Sequence, residues 1–290
     1  MKTKVTLKVF SFFLVLSFLL VPSASNAKQS FQGKGPNENE TNIAPSVLIE
    51  NAHVKALSSV KGGFTLGTTG GNPASNFDDN KRLIYGYPTS IGTSFSTLRI
   101  NDGGIITDYR LGHEGLDPIS PPTSDGTRIT SIWEQSGIRV TEYLYFVTNP
   151  ISGYQDTTAI EYVVQNNNST ARSAGIRIML DVMVGSNDGA PYFIEGNGQV
   201  TQQSEWSGSN VPDYWISYES STFDPESVQG RGQLIGGNAT LPNRLVVADW
   251  PQAYNTTWDY TVNPSDPVTN DSAVIMYYNP VSLSSGQSKT

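Results

Sequence analysis

Two stretches, Ala159-Ile-Glu-Tyr-Val-Val-Gln165 and Gly175-Ile-Arg-Ile-Met-Leu-Asp-Val-Met-Val184, decide the fold that this sequence predicts. Both alternate apolar and other residues, which places on one face Ile160, Tyr162 and Val164 in the first and Ile176, Ile178, Leu180 and Val182 in the second. Asn166-Asn-Asn-Ser-Thr170 separates them. A two-residue period on each side of a turn-forming cluster is typical of an antiparallel pair with one buried face. We therefore expect a long hairpin, followed by an oxygen-rich loop, Gly185-Ser-Asn-Asp-Gly-Ala-Pro191, that is well suited to a site.

The same pattern continues outward from this hairpin. Asn101-Asp-Gly-Gly104 and Gln135-Ser-Gly137 are hairpin turn signals between further strands. The predicted strands span residues 47–54, 63–68, 82–85, 94–100, 127–134, 138–147, 214–218, 244–250 and 272–278. Strands without intervening helices cannot form parallel crossover units, so the sheets should be antiparallel and packed face to face. The fold class predicted is all-β, as one large, supersandwich-like antiparallel β-sandwich.

The amino terminus predicts export. Three lysines precede the apolar run Val9–Val21, and Ser25 and Ala27 supply the small residues of a cleavage site. This is the pattern of a secretory signal peptide over residues 1–27, and the run is short for a membrane span. Residues 28–45 are polar and aperiodic, as in a flexible linker. The mature chain should be secreted, with no membrane span.

Residues 46–290 predict a single domain. Its last segment, Asn279–Thr290, has the polar turn that normally leads into one more strand, and then stops. We expect the sandwich to be truncated at its C-terminal strand, because the preceding strand would otherwise leave an unpaired edge.

Composition limits the partners. The chain has 18 basic and 26 acidic residues, a net charge of −8, which becomes −11 once the three lysines of the signal peptide are removed. An acidic surface argues against nucleic acid and anionic membranes as partners. The chain has no cysteine, which excludes thiol nucleophiles and thiolate metal sites.

Five motifs together carry a resemblance. They are Phe64-Thr-Leu-Gly-Thr-Thr-Gly-Gly71, Asp78-Asp-Asn-Lys-Arg-Leu-Ile-Tyr-Gly-Tyr-Pro88, Ile176–Pro191, Trp258-Asp-Tyr260 and Asp271–Pro280. This set resembles an uncharacterised family of secreted bacterial β-sandwich modules, in which a final strand with Tyr-Tyr-Gly is typical. The arrangement around Asn166 and Asp181 is similar, at the level of the fold, to galactose-mutarotase-like supersandwich domains. Neither resemblance transfers a catalytic residue.

Catalytic motifs are sparse. The two histidines, His53 and His113, form no metal motif, and His113 in Gly112-His-Glu-Gly would need an acidic partner to act as a base. Glycosidase chemistry needs two facing carboxylates, for which the chain offers Glu195, Glu205, Asp213 and Glu219 around an aromatic stretch. A pair among 26 acids proves nothing, so no catalytic residue is assigned.

The loop after the predicted hairpin is the best metal candidate. Asp181, Asn187 and Asp188 offer carboxylate and amide oxygens, which calcium prefers. Their spacing does not follow a known calcium-loop motif, and Asn-Asp-Gly also makes an ordinary turn. We expect no cofactor other than a structural calcium ion at this loop.

Aromatic residues are the best ligand-binding candidates. Trp206, Tyr214, Tyr254 and Trp258 fall within a short part of the chain, several beside glycine or aspartate. Exposed aromatic faces stack on sugars, although core packing is the alternative for each one. We expect Trp206 and Trp258 to be partly exposed.

These observations favour a non-catalytic extracellular module that contacts polysaccharide or cell-surface components. A carbohydrate-active enzyme, or an accessory domain of one, is the first alternative. A structural surface-assembly unit that pairs through its edge strands is the second.

Overall fold

The computed structural model describes residues 43–112, 114–222, 227–236 and 239–290. The predicted signal peptide, residues 28–42 of the predicted linker and His113 lie outside the described residues.

Nearly all of the described secondary structure is antiparallel β, which confirms the all-β prediction. The first half of the chain contributes β1 (Val47–Glu50), β2 (Val54–Ser58), β3 (Phe64–Thr68), β4 (Phe95–Asp102), β5 (Ile105–Leu111), β6 (Thr123–Ser124), β7 (Arg128–Gln135) and β8 (Ile138–Val147). The second half contributes β9 (Thr157–Asn166), β10 (Arg172–Asp181), β11 (Tyr192–Ile194), β12 (Gly198–Val200), β13 (Ser204–Ser207), β14 (Tyr214–Tyr218), β15 (Gln229–Gln233), β16 (Arg244–Asp249), β17 (Ser272–Leu283) and β18 (Ser288–Lys289). One helix is described, α1 (Trp250–Asn255), besides a 3₁₀ turn at Gly208–Asn210.

The strands form four sheets. A six-stranded sheet has the order β13-β16-β17-β10-β4-β5, and a five-stranded sheet has the order β18-β9-β8-β7-β6. Smaller sheets have the orders β1-β2-β3 and β12-β11-β14-β15. The central strands β10 and β17 pair from Arg172 opposite Leu283 to Asp181 opposite Ala273. The C-terminal end of β10 therefore adjoins the start of β17.

The predicted hairpin between residues 159 and 184 is wrong. The predicted inward faces are right, but β10 is buried on both faces, since Arg177 and Met179 on its other face are also buried. Strand β9 pairs with β8 and β18, whereas β10 pairs with β4 and β17 in the other large sheet. The predicted inward residues of both strands, such as Tyr162 and Ile176, are buried in one shared core. The two strands thus contact each other through their apolar faces. Because each of the two strands pairs with neighbours in its own sheet, the connection between β9 and β10 crosses from the five-stranded sheet to the six-stranded sheet.

Other local predictions have mixed outcomes. The turns at Asn101–Gly104 and Gln135–Gly137 join β4 to β5 and β7 to β8, with positive φ at Gly103, Gly104, Ser136 and Gly137. The strand predicted over residues 47–54 is wrong beyond Glu50, where β1 ends, because Asn51 accepts backbone hydrogen bonds from His53 and Val54 and turns the chain into β2. Residues 82–85 form turns with one isolated bridge, at Arg82, so the strand predicted there is wrong.

The second face of the six-stranded sheet is covered by α1 and the segment Trp258–Tyr260. The Asp249 side chain accepts a hydrogen bond from the Gln252 backbone N–H, and Pro251 stands in the first turn, where a missing N–H costs little. Trp250, Trp258 and Tyr260 then pack on Ile275 and Tyr277 of β17. This cover stops short of one end of the sheet, which leaves a groove there.

The last residues return to the five-stranded sheet, where Ser288 and Lys289 pair with Gln165 and Val164. Among the described residues, no helix has both the length and the apolar character needed to cross a membrane.

Candidate functional site

Three aspartates from separate parts of the chain converge at one end of the central strand pair. Asp181 ends β10, Asp188 lies in the loop after it, and Asp271 immediately precedes β17. One carboxylate oxygen from each lies within 4.8 Å of the others. We call Asp181, Asp188 and Asp271 the aspartate cluster. Antiparallel pairing produces it, because the end of β10 meets the beginning of β17.

The loop that carries Asp188 is held against the segment before β17. The Ser272 N–H donates to the Asp188 carbonyl at 3.0 Å, and the Val182 N–H donates to the Ser272 carbonyl at 3.1 Å. Gly189 makes this approach feasible, since a Cβ atom there would collide with the Thr269 carbonyl oxygen. The positions of Asp188 and Asp271 are therefore fixed by backbone contacts.

Several carboxylate oxygens in the cluster lack a hydrogen-bond partner among the described residues. The Thr93 hydroxyl donates to Asp181 Oδ2, but within that part of the chain the Oδ1 atoms of Asp181, Asp188 and Asp271 are buried without a hydrogen bond. Asp181 is only 2% exposed. No lysine or arginine of the described residues forms an ion pair with any of the three. Buried carboxylates are normally paired or bound to a metal, so this arrangement is unusual.

Burial and mutual repulsion dominate the electrostatics of the cluster. Burial, followed by the charges of Asp271 and Asp188, raises the pKa of Asp181 well above its usual value. Burial, followed by the charges of Asp188 and Asp249, raises the pKa of Asp271 to about 8. Burial raises the pKa of Asp188 to about 6, although Arg82 acts through space in the opposite direction. Among the described residues, Arg82 and the Thr93 hydroxyl act against these shifts but do not cancel them.

The cluster contains part of the predicted metal set. Asp181 and Asp188 come together as the loop argument required. The Asn187 side-chain N–H donates to the backbone carbonyl of Glu219 at 2.9 Å, which directs the Asn187 amide nitrogen to the segment after β14. Asp271 was missed, because only the pairing of β10 with β17 brings it to the other two.

The second feature is a groove on the partly covered face of the six-stranded sheet, with a volume of about 450 Å³. It runs across the neighbouring strands β13, β16 and β17, in which Ser207 lies opposite Arg244 and Arg244 lies opposite Tyr277. We call it the polar groove, and its lining residues are Arg99, Asn101, Ile106, Ser207, Asn243, Arg244, Trp258, Asp259, Tyr277, Asn279 and Pro280.

Both arginines of the polar groove are held by carboxylates. Arg99 donates to both oxygens of Asp108, each at 2.7 Å, and to Asp259 at 2.7 and 3.1 Å. These hydrogen bonds, first those to Asp108, raise the pKa of Arg99, and Arg99 in turn lowers the pKa of Asp259. Arg244 is paired with Glu205 and also donates to the Tyr260 carbonyl at 3.0 Å. The guanidinium groups are therefore fixed and largely neutralised.

The amide side chains of the polar groove are more open to solvent. Asn243 and Asn279 are exposed, and the Asn243 side-chain oxygen accepts the Asn279 backbone N–H at 2.7 Å. The Ile106 side chain at the rim is 55% exposed. The groove thus combines fixed polar groups with an apolar rim.

The four predicted aromatic residues do not form one surface. Trp206 packs partly against the main core, and its indole N–H donates to Asn197 at 3.0 Å. Tyr214 lies under the Arg231 guanidinium, 3.8 Å from the ring centre. Tyr254 is in α1, where its hydroxyl donates to Glu114 at 2.8 Å.

Only Trp258 of the four lines the polar groove, and it is 5% exposed, contrary to the expected partial exposure. Its ring contacts Tyr277 edge to face at 5.8 Å, and the Arg99 guanidinium lies 4.6 Å from its centre. Core packing therefore accounts for most of its surface.

The candidate catalytic carboxylates have different partners, although Glu195 contacts the backbone of Asp213. Glu205 pairs with Arg244, Glu195 accepts the Asp213 backbone N–H at 3.1 Å, and Glu219 accepts two hydrogen bonds from Ser186, both at 2.9 Å. These contacts place the carboxylates in three different environments. His53 contacts the Gly71 carbonyl through Nδ1 at 2.7 Å.

Comparison with known proteins gives a likeness in fold. No protein-family model matches the chain, and a search of curated proteins finds no match. Among solved structures, the chain is similar to a galactose mutarotase-like protein from Lactobacillus casei ATCC 334, with 14% identity and a TM-score of 0.38, over 84% of this chain and 96% of that one. It is also similar to a polysaccharide lyase, with 12% identity and a TM-score of 0.37, over 86% of this chain. The chain spans 31% of the length of that lyase.

The loose resemblance to galactose-mutarotase-like domains is confirmed at this level. With identities this low and TM-scores below 0.5, neither likeness supports an assignment of activity or ligand to this chain.

Proposed function

We propose that this chain is a secreted, non-catalytic β-sandwich module that binds a neutral, hydroxyl-rich polysaccharide in the polar groove. The observation that carries the proposal is the composition of the groove, in which two arginines fixed by carboxylates stand beside three asparagines and an apolar rim. Its volume of about 450 Å³ is within the range of small-molecule sites and fits a short run of sugar rings.

The polar groups of the groove suit hydroxyl groups. A sugar hydroxyl donates one hydrogen bond and accepts others, so it pairs best with amides and with carboxylates that have a free lone pair. Asn101, Asn243 and Asn279 offer both donors and acceptors, and Asp259, whose side chain is 79% exposed, offers carboxylate lone pairs. Ile106 and Pro280 can contact the apolar edges of a sugar.

The charge balance favours a neutral ligand over an anionic one. Arg99 is matched by Asp108 and Asp259, and Arg244 is matched by Glu205. An anionic sugar would have to displace one of these carboxylates from its arginine, at the cost of a charge-assisted hydrogen bond. A neutral sugar can use the remaining donors and lone pairs without breaking any of them.

The wider setting is part of the proposal. The signal peptide pattern over residues 1–27 supports secretion, and the contact of the apolar faces of β9 and β10 across one core supports a sandwich. The acidic net charge of −8 argues against nucleic acid as the ligand. Glu205 is held by Arg244 and Glu219 by Ser186, and neither contact supports the alternative of a carbohydrate-active enzyme.

The test is binding of the purified chain to neutral and anionic soluble polysaccharides by affinity electrophoresis and calorimetry. Asn279 is the best position to change, because it is exposed and its side chain makes no hydrogen bond within the described residues. Asn279→Ala should weaken binding, and Asn279→Trp should abolish it by filling the groove.

The matched control is Asn76, an exposed asparagine in the loop after β3. Asn76→Ala and Asn76→Trp should bind like the wild type. Unchanged binding by Asn279→Trp, or binding that is confined to anionic polymers, would refute this use of the groove.

A second candidate function, a surface-assembly unit, is favoured by the edge strand β5. Ile105 is 73% exposed and Ile106 is 55% exposed, on a strand that pairs only with β4 among the strands that the structure describes. Exposed apolar edge strands pair readily with other chains. The mass of the chain, measured by light scattering over a wide range of concentration, should rise if assembly occurs and stay monomeric if it does not.

A further inference from the structure

We propose that the aspartate cluster, Asp181, Asp188 and Asp271, binds a calcium ion that ties the loop after β10 and the segment before β17 to the central strand pair.

The first argument is geometric convergence. Three carboxylates that are far apart in sequence offer oxygens within 4.8 Å of one another. Calcium binds its ligands at about 2.3–2.6 Å, so oxygens of one calcium site can be up to about 5 Å apart. These separations are compatible with one shared ion.

The second argument is the unpaired oxygen of Asp181. Its side chain is 2% exposed, and its Oδ1 atom is buried without a hydrogen bond among the described residues. A buried carboxylate oxygen left in this state is costly, whereas a cation between the three groups would compensate their charges together. This observation is independent of the acidic character of the cluster.

The third argument concerns the kind of ion. An all-oxygen set with three carboxylates excludes the sulfur and nitrogen ligands that zinc and copper sites use. Magnesium usually keeps several waters and takes one or two carboxylates, whereas calcium accepts several carboxylates in a flexible shell. Asp188 and Asp271 are partly exposed, so water can complete the coordination and the ion can enter from solvent.

The surroundings fix the ligands in place. Ser94 Oγ accepts the Asp181 backbone N–H at 2.9 Å, and the Trp250 N–H donates to the Asp271 carbonyl at 3.1 Å. The site therefore joins β10, the following loop and the N-terminal end of α1. An ion bound there would stabilise this end of the sheet, apart from any ligand in the polar groove.

The experiment compares melting temperatures of the full chain in chelator and in calcium chloride, with calorimetry to count the ions bound. Calcium should raise the melting temperature of the wild type by several degrees, with one ion bound per chain. Asp271→Asn removes one charged ligand and should weaken calcium binding by about tenfold or more. In chelator, the same variant should be at least as stable as the wild type, because it relieves repulsion between like charges.

The matched control is Asp213→Asn, a change of an exposed aspartate before β14, which should respond to calcium as the wild type does. Asp188→Asn serves as the second variant should Asp271→Asn not fold. The proposal fails if calcium leaves the wild type unchanged, if the cluster variants respond equally to calcium, or if magnesium at the same concentration gives an equal shift.

Discussion

A buried glutamate between the two large sheets provides the sharpest test of the described core. Glu142 on β8 is 2% exposed, and its Oε2 atom accepts a hydrogen bond from the Tyr162 hydroxyl. The Tyr162 hydroxyl also contacts Ser96 Oγ of β4 at 2.6 Å, so the contact links both sheets. Burial raises the pKa of Glu142 to about 8, while the hydrogen bond from Tyr162 and the nearby Ser131 hydroxyl act in the opposite direction but less strongly.

The direction of the effect on stability follows from this shift. Below pH 4.5, the ordinary value, Glu142 is protonated in both the folded and the unfolded chain. As the pH rises towards about 8, the unfolded chain loses this proton while the folded chain retains it, so the free energy of unfolding decreases. The free energy of unfolding falls by about 1.4 kcal/mol for each pH unit, and by on the order of 5 kcal/mol between pH 4.5 and about 8.

Glu142→Gln removes this dependence, because glutamine keeps the oxygen that accepts from Tyr162 and cannot ionise. We expect the variant to be about as stable as the wild type at pH 5, and more stable by up to about 5 kcal/mol at pH 8. The measurement is urea unfolding across this pH range in chelator, where the aspartate cluster is identical in both proteins.

The control for this prediction is Glu134→Gln, a change of a partly exposed glutamate on the adjacent strand β7, which should follow the wild-type profile. A difference between Glu142→Gln and the wild type that does not vary with pH would refute the reasoning. So would a loss of stability in the variant at pH 8.

Two further predictions concern the six-stranded sheet. Trp258→Ala should lower the free energy of unfolding by about 3–5 kcal/mol, because the 5% exposed ring packs on Tyr277. Urea unfolding measures this change, and unchanged stability would mean that the ring is not part of the core. Ile105→Lys should abolish any concentration-dependent association through β5 while leaving the melting temperature within a few degrees of the wild type, because the side chain is 73% exposed. Light scattering and thermal unfolding check it, and association that persists in this variant would exclude the β5 edge.

The alternation of side chains was predictable because it is a local property of a strand. Ile160, Tyr162 and Val164 are buried as expected, and so are Ile176, Ile178 and Leu180. The partners of each strand were not predictable in the same way, because pairing depends on residues far away in the chain. Strand β10 pairs with residues 95–101 and with residues 273–283, and neither pairing leaves a local signal beside β10.

The same reasoning explains which site residues were found. Asp181 and Asp188 are close in sequence and were predicted together, whereas Asp271 joins them only through the register of β10 and β17. In the polar groove, Arg99 and Arg244 look like ordinary strand arginines in the sequence, since their partners Asp259 and Glu205 lie far along the chain. Trp258 was expected to be partly exposed, but Tyr277, which lies far along the chain, provides a surface that covers it.

The aspartate cluster and the polar groove depend on the same strand but are physically separate. Asp271 precedes the first residue of β17, and Asn279 lies eight positions further along, so the two are roughly 25 Å apart at the rise of an extended strand. A calcium ion at the cluster cannot contact a sugar in the groove over that distance. Any coupling would have to pass through the stability of the β10–β17 pair. The cation proposal and the polysaccharide proposal can therefore each fail alone. Removing calcium with a chelator should lower the stability of the domain, and it should affect binding in the groove only through that loss of stability.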